Sequence, residues 1–288
     1  MPLARVALLL VPVTLFEMML AIGLGVSLAD LAAVLKNARL VARVALANYF
    51  AVPAIAVALL VSLHARPMVA AGVLHAAVCP GAPYAPPLTR LARGSVPVSV
   101  GLMVILAASS ALLAPIFLGV LLPVLVRGTD FSLDVPKIIQ TLLFTQLLPL
   151  AVGLIVRRAW PAVSDKLTKP ANLLSGVLNF AMFTLIITLQ YRTLTDIRLK
   201  GFVGMCLLVG LCLLPGWILG GPPPGSRRAV TFTTATRNVG VALLIATTSF
   251  RGTAAVSTVV IYAIFQTIGL GLVAIFWGRF VSASPARE

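Results

Sequence analysis

Stretches of about twenty apolar residues, joined by connectors too short to hold a domain, decide most of what this chain can fold into. A helix that crosses a bilayer needs about 20 mostly apolar residues. Nine such runs can be counted, at roughly 4–26, 39–63, 67–91, 95–126, 136–158, 168–191, 199–221, 226–250 and 253–280. Only 10% of the residues are charged and 60% are hydrophobic, whereas a soluble domain carries about 25% charged residues. These figures exclude an ordinary soluble enzyme, a disordered chain and a disulfide scaffold. They leave an all-α polytopic membrane protein with about nine transmembrane helices, because a helix satisfies its own backbone inside lipid. The first run continues past Glu17 to Val26 with no small-residue cleavage site after it, so it reads as a retained span rather than a leader.

The net charge is +15, from 22 Lys and Arg against 7 Asp and Glu. In a soluble chain this would suggest nucleic acid. Here the basic residues are short punctuation between apolar runs, and no nucleic-acid partner is expected; the bilayer is the partner they report on. Cytoplasmic connectors of membrane proteins are rich in Lys and Arg. With the N-terminus outside, the inside connectors hold 13 basic residues and the outside ones 8, among them Arg127, Arg198 and Arg251. The acids Asp130, Asp134 and Asp196 also fall outside, whereas Arg287 counts inside. The expected placement is N-out and C-in, in a bacterial inner (plasma) membrane. Cys79, Cys206 and Cys212 lie in apolar runs without metal-site spacing and read as small buried hydrophobes. No metal or cofactor is expected.

Two runs are interrupted. The third contains Cys79-Pro80-Gly81-Ala82-Pro83-Tyr84-Ala85-Pro86-Pro87, which cannot continue a regular helix. The eighth contains Thr231-Phe232-Thr233-Thr234-Ala235-Thr236-Arg237-Asn238-Val239-Gly240, a polar island with a full charge. Unwound backbone at membrane depth persists only where protein buries it or where it lines a wet cavity. Broken helices at matching places in two halves point to a transporter site. The chain therefore divides into a first repeat, 1–130, with four spans and a break at 79–87, and a second, 131–288, with five spans and a break at 231–240, in one integral membrane unit.

These breaks carry a resemblance. Cys79-Pro80-Gly81, followed by Leu91-Ala92-Arg93-Gly94-Ser95-Val96 and then Ser99, resembles the fourth-helix signature of the bile acid:sodium symporter family. Ala229 to Gly240 is similar to that family's ninth-helix crossover, and Ala21-Ile22-Gly23-Leu24-Gly25 is similar to the end of its second helix. The resemblance implies an inverted-repeat fold. Its core domain carries two crossing broken helices, and a panel domain moves against the core. It also implies transport of bile acids or other organic anions, usually driven by sodium.

The departures from the family pattern are chemical. Where sodium-coupled members place Ser-Asn, this chain has Ala85 and Pro86. A Thr becomes Met103, the carboxylate that serves both ions becomes Thr233, a following Gln becomes Arg237, and a third-helix Gln becomes Asn48. Ser99 alone keeps its oxygen. A hard cation wants oxygen ligands and a carboxylate; here the carboxylate is gone and a guanidinium has been added. The resulting expectation is that Arg237 replaces the bound sodium charge and can hold an anionic substrate through its forked donors. Glu17, the one acid deep in a run, is the expected partner, in a pair that yields to substrate; its protonation would link transport to protons.

Asn238 matches a family position that contacts substrate. Pro83, with Tyr84, would narrow the cavity, and Gln266 and Thr267 sit where a relative offers a polar pair. Asn48, Ser99, Thr233, Thr234 and Thr236 form the expected remnant of the ion sites. The spans hold no HExxH, paired Asp or Ser–His arrangement at helical spacing, so no enzyme is expected. The expected function is a secondary active transporter of a small organic anion, bile-acid-like or a small carboxylate, by alternating access. Two alternatives stand beside it: a sodium-coupled symporter with backbone ligands, and a non-transporting sensor on the same fold. Coupling to a proton or to sodium is left open.

Overall fold

The computed structural model describes residues 2–126, 133–195 and 199–280. They form fifteen helices, with no strand among the described residues. The first helix, α1 (Pro2–Gly25), is followed by α2 (Leu28–Lys36) after a bend of 88°. The bend is stabilised by a cap: Ser27 Oγ accepts from the Asp30 N–H at 3.3 Å, which satisfies a donor the first turn of α2 would otherwise leave open.

The second and fifth runs share one local device. Helix α3 (Ala38–Leu46) widens into a π turn, Ala47–Ala51, before α4 (Val52–Ser62). Later in the chain, α8 (Val135–Leu142) widens into a π turn, Leu143–Leu147, before α9 (Leu148–Ala159). Each turn ends two residues before a proline, Pro53 or Pro149. A proline inside a helix lacks its N–H and crowds the carbonyl four residues earlier; a wider turn relieves both problems. Each turn also carries one fully buried polar side chain, Asn48 or Gln146.

The third run is split into α5 (Pro67–Ala77) and α6 (Ala85–Leu91). Helix α7 (Val96–Leu125) follows, and the long α10 (Pro161–Thr195) comes after α9. The seventh run is α11 (Leu199–Leu211) with α12 (Leu213–Leu219). The eighth is split into α13 (Pro224–Ala235) and α14 (Val239–Ser249), and α15 (Ala254–Phe280) is the last.

Seven helices are long and apolar enough to cross a membrane, or eight when the bent pair of α1 and α2 is taken as one span. The nine of the sequence count is not reached on this criterion. The third run contributes halves of 11 and 7 residues, neither long enough alone. The protein is an integral membrane protein of helices. Its centre is the α13–α14 span, whose most apolar window is 94% buried, against 11% for α10 at the periphery.

One end of the bundle gathers the basic connectors. Arg228 Nη1 donates to Arg93 O at 2.8 Å, and the Ser95 N–H donates to Gly225 O at 2.9 Å. A Cβ on Gly221 would lie 3.6 Å from Arg43 Nη1. The connectors read from the sequence as sharing a side therefore meet at one end. Arg127, Asp130, Asp196, Arg198 and Arg287, also used in that reading, lie outside the described residues, as does the 130/131 boundary. Cys79 and Cys212 are buried as expected; Cys206 is exposed, because it sits on the outward face of α11.

Candidate functional site at the crossing of the two broken spans

The two breaks touch. The Asn238 N–H donates to Cys79 O at 2.7 Å, and Asn238 Nδ2 donates to Gly81 O at 3.3 Å. Gly81 has φ +83°, and a Cβ there would lie 2.3 Å from the Ala107 nitrogen. Only glycine fits both the left-handed backbone and the approach to α7.

A broken helix leaves carbonyls without donors. In a continuous helix Ala76 O would accept from residue 80 and Ala77 O from residue 81. Residue 80 is a proline with no N–H, and Gly81 has left the helix. The Cys79 N–H still reaches Ala76 O, at 3.2 Å, and Arg237 supplies further donors to this end. Its Nε donates to Ala76 O at 3.4 Å and its Nη2 to Ala77 O at 2.6 Å. The other break is treated alike: Thr234 O, whose helical partner Asn238 N is turned to Cys79, accepts from Arg237 Nη1 at 3.1 Å. The π turn completes the set, with Asn48 Oδ1 at 2.7 Å from Nη1 and Asn48 O at 3.4 Å from Nη2.

The five guanidinium N–H groups thus face five protein oxygens, none of them a carboxylate. Arg237 is fully buried. The C-terminal ends of α5 and α13 both converge on it, and each carries partial negative charge. This is an arrangement that suits a cation.

Gln266 closes the break from α15. Its Oε1 accepts from the Arg237 N–H at 2.6 Å, and its Nε2 donates to Arg237 O at 3.2 Å. Asn48 Nδ2 also donates to Val44 O at 2.9 Å and to Thr234 Oγ1 at 3.2 Å. A second chain consists of hydroxyls alone: Thr89 Oγ1 to Ser99 Oγ at 3.0 Å, and Ser99 Oγ to Thr233 Oγ1 at 3.0 Å. Thr236 turns back on its own helix, donating to Phe232 O at 2.6 Å.

The structure therefore brings together Arg237, Asn238, Asn48, Thr234 and Gln266, with Ser99 and Thr233 in the adjacent chain. It does not bring Glu17 to Arg237. Glu17 is half-buried and accepts from Ser175 Oγ of α10 at 2.5 Å. Arg157–Asp165 is the sole ion pair among the described residues. The expected Glu17–Arg237 pair is absent because α1 turns its carboxylate toward α10, while the guanidinium is occupied by carbonyls. Thr267 is exposed on the outer side of α15, one residue past the inward Gln266. Pro83 is half-buried, beside Tyr84, which is exposed.

Three participants were not read from the sequence. Thr89 lies between two unremarkable residues. The carbonyls of Ala76 and Ala77 have no side-chain signature, although Pro80 marks the lost donor.

Comparison with known proteins now bears on this geometry. The family model described as the Sodium Bile acid symporter family matches residues 12–197. The chain belongs to the sodium bile acid symporter family. This is a family of transporters, and its matched stretch includes the first break and the π turn of Asn48. A curated relative, described as the uncharacterized sodium-dependent transporter YocS of Bacillus subtilis (strain 168), is 25% identical over 283 residues. That match spans 95% of this chain and 85% of the relative.

Proposed function

We propose that this chain is a secondary active transporter of an organic anion, bile-acid-like or a small carboxylate, in which Arg237 takes the place of a coupling cation. The supporting observation is the set of five guanidinium donors on five protein oxygens, between two half-helix C-termini. Transporter folds place coupling ions at such ends. A guanidinium there neutralises the carbonyl cluster in every state and needs no ion from solution.

With its N–H groups filled, Arg237 acts on substrate by its field and not by contact. The anion is bound where the break opens, at the start of α14. Asn238 Oδ1 caps the Val241 N–H at 3.2 Å. Gly240 is the one residue of the 231–240 stretch that is not fully buried; a Cβ there would lie 3.6 Å from Leu15 and 3.7 Å from Met18 of α1. Pro83 and Tyr84 flank the other break. Helix N-termini favour anions. Alternating access would move the group of α1, α9 and α10 against the two broken spans, with 1–130 and 131–288 as related halves. The proposed placement is N-out and C-in, in a bacterial inner membrane.

The second reading is sodium coupling through the remaining oxygens. The Thr89–Ser99–Thr233 hydroxyls and the sodium coupling in the family's name favour it. Uptake of labelled carboxylates and bile acids into proteoliposomes separates the two. Saturable uptake with counterflow, equal in sodium, potassium and choline, supports a fixed cation. Uptake that needs sodium supports the hydroxyl site. Binding without uptake would leave only a sensor.

A further inference from the structure

A cavity of about 580 Å³ opens between the end of α4 and the starts of α5, α11 and α15. Its walls are apolar, with Val73, Leu208 and Ile261 deepest along their helices. Its polar edge is basic: Arg66 and Lys200 line it beside His64, and no acid does. All three are exposed, and none pairs with a carboxylate among the described residues. No residue of 79–87 or 231–240 lines the cavity.

His64 adds a second observation. It ends α4 with φ +49°. The Ala65 N–H donates to Leu60 O at 3.0 Å and the His64 N–H to Val61 O at 3.1 Å. This is the left-handed C-terminal cap that glycine normally fills. A non-glycine residue held there, at an energetic cost, is a pointer to function. In this chain the strain places an imidazole at the cavity's mouth.

We propose that this cavity binds an anionic phospholipid. An apolar trough with a cationic rim at one end of the bundle matches an acyl chain joined to a phosphate. Basic residues at pockets between membrane helices attract anionic headgroups, and the cavity lies within the usual size range of small-molecule sites. Such a lipid would bridge α4, α5, α11 and α15 at the end opposite the basic connectors.

The test uses the full purified chain in detergent, with phosphatidylglycerol, phosphatidylcholine of the same acyl chains, and glycerol phosphate as a free headgroup. Binding is read by native mass spectrometry and by melting temperature. Phosphatidylglycerol is expected to bind and stabilise, and the other two are not. The double variant Arg66→Gln/Lys200→Gln is expected to bind it about thirtyfold more weakly while melting normally in detergent, and Arg66→Lys is expected to retain it. In the unaltered chain, high salt should remove the preference, a readout that needs no variant. Equal binding of the two lipids, equal effect of glycerol phosphate, or a preference indifferent to both salt and the double variant would overturn the proposal.

Discussion

Arg237 Nη1 lies 2.7 Å from Asn48 Oδ1, although the two residues are 189 positions apart in sequence. The same Asn48 donates through Nδ2 to Thr234 and offers its backbone carbonyl to Nη2. One asparagine in a π turn thus ties the second run to the broken eighth.

Replacing Asn48 by Ala leaves a buried charged donor without its acceptor. An unmade hydrogen bond to a buried group costs about 1–3 kcal/mol, more for charged groups. Asn48→Ala is expected to lose about 3 kcal/mol, read as a fall of several degrees in melting temperature. A change within experimental error would mean that the guanidinium finds another acceptor.

Gly81→Ala tests the crossing itself. The new methyl would meet the Ala107 backbone at 2.3 Å from a residue with φ +83°. Backbone strain and overpacking together are expected to cost about 3 kcal/mol or more. Expression without a melting transition, or a strongly lowered one, is the expected outcome; a normal melt would contradict the approach of the first break to α7.

Gly23 of α1 and Gly153 of α9 face each other. A Cβ on Gly23 would lie 2.5 Å from Leu150 O, and one on Gly153 would lie 2.6 Å from Leu20 O. Small residues let membrane helices approach closely. Gly23→Val is expected to separate the helices and reduce both stability and uptake, whereas the exposed Gly176, with nothing within 4 Å of its would-be Cβ, should accept Ala with no loss.

Glu17→Gln removes a half-buried acid whose partner is the Ser175 hydroxyl. Stability should change by only about 1 kcal/mol. With the carboxylate turned toward α10 and away from the breaks, the KM for an anionic substrate should change little. Charge exchange, Glu17→Arg with Arg237→Glu, should not restore function, since a carboxylate at 237 would face the Ala76 and Ala77 carbonyls. Rescue by the exchange would show that the pair forms in another state.

The apolar runs located nearly every helix, because a lipid-embedded helix must be long and apolar regardless of what it packs against. Both breaks were legible too: prolines remove donors wherever they fall, and the polar island around Arg237 stands out between apolar flanks. What the sequence hid was direction. Glu17 and Arg237 looked like partners because each is an ionisable residue deep in an apolar run, but their side chains follow different helix faces. Gln266 and Thr267 looked alike, and one residue of rotation places one inside and the other out. The acceptors of Arg237 are mostly backbone carbonyls, which every residue has and no letter marks. Pro53 and Pro149, each inside an apolar run, are the only sequence marks of the two π turns.

The most direct test of the fixed-cation reading is the melting temperature of purified protein in sodium, potassium and choline buffers, for the unaltered chain and for Arg237→Gln. With the guanidinium present, the oxygens at the breaks are already occupied, and the three buffers should give the same melting temperature. Arg237→Gln should melt lower in choline and gain stability when sodium is added, as a freed carbonyl cluster takes up a cation by mass action. Sodium-specific stabilisation of the unaltered chain, together with an Arg237→Gln variant indifferent to sodium, would contradict it.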